Sequence, residues 1–125
     1  MDKQELQCRT KQFALRVFKL VDALPRTPAG RAVASQLVRS ATSVGANYRA
    51  ACRVRSRAEF TSKLGTVLEE ADESLYWLEL IREGELISES KVYSLLKEAD
   101  ELTAILAAGR KSASSNRSSN IEHLT

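Results

Sequence analysis

The fold is decided by residues 28–52, which read PAGRAVASQLVRSATSVGANYRAAC. Apolar and small side chains recur there every three or four residues, which is the spacing of one face of an α-helix. Thr27 followed by Pro28 predicts where this helix begins, because a hydroxyl side chain caps a helix and proline suits its first position. The predicted buried stripe consists of Val33, Ala34, Leu37, Ala41, Val44, Tyr48, Ala51 and Cys52.

Amphipathic segments of the same kind flank this stretch. We predict a first helix over residues 6–24, ended by Pro25, and a third that begins at the capping box of residues 56–59 and stops at Gly84. A fourth helix is predicted from Ser88, with Gly109 as the residue just past its end.

The connections between these predicted helices are only about three or four residues long. Loops that short make consecutive helices antiparallel neighbours. The expected fold is therefore all-α, an antiparallel up-down-up-down four-helix bundle formed by residues 1–109. Residues 110–125 are rich in Ser, Asn and basic side chains and are expected to form a disordered tail.

The composition excludes several classes of protein. The 125 residues include two cysteines, too few for a disulfide framework, and no apolar run long enough to cross a membrane, so a cytoplasmic location is expected. The one histidine, His123, lies in the predicted tail, and no phosphate-binding, dinucleotide-binding or paired-cysteine motif is present. We therefore expect that the protein is not an enzyme and has no catalytic residues, no metal or other cofactor, and no small-molecule substrate.

The net charge of +3 hides two strongly charged parts. Residues 1–65 carry 13 basic and 4 acidic side chains, whereas residues 66–109 carry 3 basic and 11 acidic ones. Between Asp22 and Glu59 there is no acid and no lysine, but there are seven arginines. Six of these are candidate nucleic-acid-binding residues: Arg31, Arg39, Arg49, Arg53, Arg55 and Arg57.

Two interpretations of these arginines stay open from composition alone. Guanidinium groups bind phosphates through paired hydrogen bonds, so an exposed row of them suits a nucleic-acid backbone. Alternatively, the same side chains are solvated or pair with acids of a neighbouring helix or subunit.

The third predicted helix is apolar on nearly every side at residues 75–81. One helix face cannot bury all of these side chains, and aromatic residues are enriched at protein interfaces. We therefore predict an oligomer interface at Glu73, Tyr76, Trp77 and Leu80. The acids around this patch could meet the arginines of another copy, or they could form a plain solvated face.

Three motifs in order carry a resemblance to a known family. They are LVRSATSVGANYRAA at residues 37–51, Arg55-Ser56 followed by Glu59-Phe60, and EEADESLYWLEL at residues 69–80. Together they resemble the bacterial four helix bundle proteins, also called large-subunit rRNA intervening-sequence proteins, over about residues 8–108. The chain departs from that pattern at residues 49–51, where it reads Arg-Ala-Ala and many members read Ala-Glu-Gly.

The resemblance implies a four-helix bundle that assembles as a ring-shaped homopentamer. A related branch, the accessory protein of diversity-generating retroelements, is a basic pentamer that binds nucleic acid and a reverse transcriptase. The positions that match family motifs are Arg39, Asn47, Ser56, Glu59, Phe60, Ser74 and Leu75.

These observations lead to one expected function and one alternative. We expect a cytoplasmic, non-enzymatic homopentamer that presents its arginines to structured RNA or to a nucleoprotein partner. The alternative is a protein-interaction scaffold that binds no nucleic acid, with its arginines paired to acids of neighbouring subunits.

Overall fold

The computed structural model describes the backbone of residues 1–124 and the side chains of residues 1–115. It contains four α-helices: α1 (Lys3–Asp22), α2 (Pro28–Ala51), α3 (Arg57–Glu83) and α4 (Glu89–Leu124). Over the described backbone there is no strand. In that same part of the chain, no helix is both long enough and apolar enough to cross a membrane.

The helices form the predicted antiparallel bundle. Each connection is five residues long, slightly more than expected, because the capping residues lie outside the helices. Each helix packs against its neighbours in sequence, and α1 also packs against α4. Within the described residues the diagonal pairs do not approach each other, so the four helices occupy the corners of a square.

Local capping signals explain where the helices begin. The Thr27 hydroxyl accepts a hydrogen bond from the Gly30 N–H at 3.1 Å, and the Ser56 hydroxyl accepts one from the Glu59 N–H at 3.1 Å. Both predicted caps are therefore confirmed. Helix α1 begins three residues earlier than predicted because the Asp2 carboxylate accepts from the Glu5 N–H at 2.8 Å, which also lowers the pKa of Asp2.

The predicted apolar stripes form one core. Its largest fully buried apolar side chains are Phe13, Val17, Leu37, Val44, Val67, Leu78, Ile81, Val92, Leu102 and Leu106. Two serines are also completely buried at the contact of α2 with α3: the Ser74 hydroxyl donates to the Ser40 oxygen at 2.9 Å, and Ser40 donates to the Leu37 carbonyl. Because these two small side chains satisfy each other's hydrogen-bonding groups, they can be buried and the two helices can pack closely.

Helix α4 does not end at Gly109. The prediction of a disordered tail is wrong for residues 110–115, which continue the helix. Two contacts explain the continuation: the Arg110 guanidinium lies over Gly65 of α3, and Ala113 packs against the core. The rest of the predicted tail, residues 116–125 with His123, lies outside the residues whose side chains are described.

The end of α3 is closed by a Schellman motif. The Glu85 N–H donates to the Arg82 carbonyl at 3.1 Å, and the Leu86 N–H donates to the Ile81 carbonyl at 3.0 Å. Glu85 therefore takes the left-handed conformation, with φ of 53°, at a position that glycine usually fills. Gly84 stands one residue earlier, with φ of −81°.

Replacing Gly109 by alanine tests the continuation of α4. All five glycines lie in the described part and none has a positive φ, and nothing lies within 4 Å of the position that a Cβ at residue 109 would take. Gly109→Ala should therefore raise the free energy of unfolding by about 0.5–1 kcal/mol, measured by urea denaturation. Gly65→Ala is the matched control and should give no such gain, because its Cβ would lie 3.0 Å from Nη2 of Arg110. A loss of stability in Gly109→Ala would mean that residue 109 terminates the helix in a left-handed conformation.

Replacing Glu85 by glycine tests the α3 terminus. Glycine adopts a positive φ without the steric cost that a side chain incurs, so Glu85→Gly should raise the free energy of unfolding by about 0.5–1 kcal/mol. The same substitution at Glu83, the last residue of α3, should lower it because glycine is a poor helix former. Equal effects at the two positions would contradict the left-handed assignment.

Candidate nucleic-acid and subunit surfaces

The six predicted arginines are all exposed, but they do not form one continuous ridge. Arg31 lies near the start of α2 and Arg49 near its end, about 27 Å apart at the helical rise of about 1.5 Å per residue. Arg31 is therefore separated from Arg53, Arg55 and Arg57, which lie where α2 connects to α3.

Arg39 is paired with acids of its own chain on the surface of the bundle. Its guanidinium donates to the carboxylates of Glu70, at 3.3 Å, and Glu73 on α3 of the same chain, and its Nε donates to the Gln36 side chain at 3.3 Å. For this residue the structure shows pairing with a neighbouring helix, one of the two interpretations that the sequence left open. Glu73, predicted at an oligomer interface, has its partner within its own chain.

Arg53, Arg55 and Arg57 are joined at one end of the bundle by basic residues that the sequence interpretation missed. Antiparallel packing places the start of α1, the end of α2, the start of α3 and residues 105–115 of α4 at one end of the bundle. Lys3 shares a pocket of about 410 Å³ with Arg55 and Arg57, and its Nζ lies 4.5 Å from the centre of the Phe60 ring.

A second pocket at this end lies between α3 and α4. It has a volume of about 550 Å³ and is lined by Arg110, Lys111, Ser114, Ser115 and Thr61, among others. The Thr61 hydroxyl oxygen is buried and, within the described residues, has no hydrogen-bond partner. The sequence does contain a signal that α4 continues: Leu106, Arg110 and Ala113 are spaced three or four residues apart, as on one face of a helix. Interpreting Gly109 as the end of the helix hides this signal.

We call this surface the basic end and define it by Lys3, Arg53, Arg55, Arg57, Arg110 and Lys111, all of which are exposed. Three acids lie at the same end: Asp2, Glu5 and Glu59. All three offset the partial positive charge of a helix N-terminus: Asp2 caps α1, Glu5 lies in the first turn of α1, and Glu59 lies in the first turn of α3. Basic groups therefore outnumber acids where the four helix termini meet.

A groove of about 790 Å³ runs between α1 and α2. Its α2 wall is built mostly of small side chains, Thr42, Gly45, Ala46 and Ala50, and Ala14 contributes from α1. Its basic members are Lys11, Arg49 and Arg53. Two apolar side chains of α1, Leu15 and Phe18, are 44% and 42% exposed.

The predicted aromatic interface divides into buried and exposed parts. Tyr76 is 53% exposed, and its ring makes an edge contact with Trp77 at 5.1 Å between ring centres. Trp77 itself is half-buried against the core of its own chain, and its indole N–H is buried with no acceptor among the described residues. Leu80 is also half-buried, so Tyr76 is the predicted interface residue that the structure leaves most accessible.

Acids surround Tyr76 on the outward face of α3. Glu69, Asp72, Glu79 and Glu83 are spaced three or four residues from one another or from Tyr76, which places all five on one face. We call this set the acidic stripe. In the described part of the chain, the ion pairs use other acids: Glu70, Glu73, Glu98 and Glu101.

The seam between α1 and α4 is closed by an arginine. Arg9 donates to both oxygens of Glu98, at 2.8 and 2.7 Å, and lies 2.9 Å from Glu101. These charge-assisted hydrogen bonds raise the pKa of Arg9 above its ordinary value.

In the α2 core, burial raises the pKa of the Tyr48 phenol, which stays neutral.

Groups that support metal or nucleophilic chemistry are sparse in the described residues. Cys8 is exposed in the α1–α2 groove and Cys52 is half-buried. Over residues 1–115, no group of three or more His, Cys, Asp or Glu side chains is arranged to hold a metal ion. The arrangement is one of charged surfaces around a rigid bundle.

Comparisons with known proteins agree with this architecture. The family model of the 23S rRNA-intervening sequence proteins matches residues 3–108. A crystal structure from Bacteroides thetaiotaomicron, described as a protein of unknown function from the S23 ribosomal protein family, is 33% identical with a TM-score of 0.80. The match covers 89% of this chain and 99% of that one. No curated protein matches the chain. Since the family model spans all of α1, α2 and α3 and most of the bundle part of α4, the chain belongs to the 23S rRNA-intervening sequence protein family.

Proposed function

We propose that this protein is a cytoplasmic, non-enzymatic homo-oligomer that binds structured RNA, alone or within a nucleoprotein partner, through its basic end. The observation that carries the proposal is the convergence of six exposed basic side chains, from α1, α3, α4 and the connection between α2 and α3, on one end of the bundle. A pentamer is the assembly that the family resemblance implies.

The chemistry of the basic end suits a phosphate backbone. Arg55 and Arg57 are in none of the ion pairs of the described residues, so their guanidinium groups are available for paired hydrogen bonds to phosphates. The pocket lined by Arg110, Lys111 and Ser114 adds exposed hydrogen-bond donors at the same end of the bundle. Structured RNA is the form of nucleic acid proposed, because a rigid surface of fixed charges best complements a backbone of fixed shape.

Assembly strengthens such binding. A ring presents several copies of the basic end, and each further contact with the same RNA becomes intramolecular after the first. Weak binding by one subunit is therefore compatible with tight binding by the oligomer.

The test is a titration of a labelled RNA hairpin at two salt concentrations, with fluorescence anisotropy as the readout. Contacts with phosphates release counterions, so affinity should fall steeply as salt rises. Arg55→Gln combined with Arg57→Gln should lower affinity about tenfold or more and reduce the slope of log K against log salt by about 2. The matched control is Arg26→Gln with Arg31→Gln, which removes the same charge at the opposite end of the bundle and should change little.

Two results would contradict the proposal. Absence of binding at low salt would exclude RNA as a ligand, and equal losses in both double variants would mean that only net charge matters. If the wild type assembles and yet binds no RNA, the scaffold alternative is favoured. Arg39 favours neither candidate function, because its pairing with Glu70 and Glu73 lies within its own chain.

A further inference from the structure

Two surfaces of the bundle lack a partner within the chain. The first is the α1–α2 groove, which carries Lys11, Arg49 and Arg53 along a wall of small side chains. The second is the acidic stripe of α3, with the exposed Tyr76 among its acids. In the described residues, no salt bridge involves any of these charged groups.

The groove is shaped for a helix. Glycine and alanine side chains leave room for another backbone to approach closely, and the opening has a volume of about 790 Å³. On α1, Leu15 and Phe18 are each more than two fifths exposed. They follow the groove residue Lys11 by four and seven residues, so they lie on the same face of α1 and extend it with apolar contact surface. The groove and this extension together offer apolar contact surface and positive charge.

The acidic stripe has the complementary properties. It is a helix face that presents Glu69, Asp72, Glu79 and Glu83, with one large aromatic ring at its centre. Aromatic rings at the centre of a contact commonly contribute most of its binding energy, whereas charges set orientation and partner choice.

One chain cannot join these two surfaces to each other. Helix α3 packs against α2 and α4 and does not approach α1 within the described residues, and its stripe faces outward. We infer that the acidic stripe of one copy docks in the α1–α2 groove of a second copy of this chain. The inference rests on the homo-oligomer of the proposed function and names the two surfaces that form its contact.

This contact joins different surfaces of the two copies. A docked pair still offers one free groove and one free stripe, so further copies can add, and the assembly is finite where the rotation between neighbours closes a ring. The contact also divides the arginines: Arg49 serves the subunit contact, Arg55 and Arg57 remain for RNA, and Arg53 borders both surfaces.

Charge reversal on each surface tests the contact by sedimentation velocity and native mass. Lys11→Glu with Arg49→Glu places acids opposite the acidic stripe, and Asp72→Lys with Glu83→Lys places lysines opposite the basic groove. Each double variant should shift the oligomer to monomer at micromolar concentration. The matched control is Lys91→Glu with Lys97→Glu, two exposed lysines of α4 outside the groove, which should sediment as the wild type does.

Recombining the variants separates lost contacts from lost folding. In an equimolar mixture of the two double variants, each groove can dock only a stripe of the other variant, which has the opposite charge. Unlike copies must then alternate, so the mixture should form assemblies larger than a monomer, but a ring with an odd number of subunits should not close. A chain with all four substitutions should also assemble by itself. Circular dichroism of each variant checks that the helices are retained.

The outcomes separate this inference from the proposed function. Oligomers in both double variants, or monomers in the mixture and in the fourfold variant, would overturn the inference. A monomeric wild type would overturn it too, while RNA binding at low salt could still be observed. If the fourfold variant assembles but the wild type binds no RNA at low salt, the subunit contact is supported and the RNA proposal is rejected.

Discussion

Connections of five residues are the constraint on which the rest of the structure depends. Such short links force each helix to run back along the one before it. Residues near positions 3, 55 and 110, remote in sequence, therefore meet at one end of the bundle. The ion pairs of Arg9 with Glu98 and Glu101 then join the first helix to the last. The basic end thus results from the antiparallel topology together with the arginines at and beside the connection between α2 and α3.

Helix α3 shows how one element can serve two partners. Its acids at 70 and 73 face α2 and are taken up by Arg39, beside the buried hydrogen bond between Ser40 and Ser74. The acidic stripe faces outward and, in the described structure, is left without ion pairs. The helix is acidic on both faces, but one face serves the fold and the other is available for assembly.

Much of the fold could be predicted because its signals are local. A threonine before a proline, or a serine three residues before a glutamate, satisfies helix N–H groups whatever else is near, and stripes of apolar residues follow from helical spacing. The length of α4 was not predictable in this way. Gly109 has the local character of a terminator, and the contacts that override it, Arg110 over Gly65 and Ala113 against the core, join residues far apart in sequence.

The candidate surfaces were predictable as chemistry but not as geometry. A helical wheel shows that Arg39 points away from the core, but it cannot show that Glu70 and Glu73 of the next helix lie within reach. The wheel also places Trp77 away from the predicted buried face of α3, but it cannot show that the Trp77 ring packs against the core of its own subunit. Net charge has the same limit, since +3 for the chain describes neither surface. Opposite charges that cannot meet within a rigid bundle remain unneutralised, and a second copy or a phosphate backbone can then supply the countercharge.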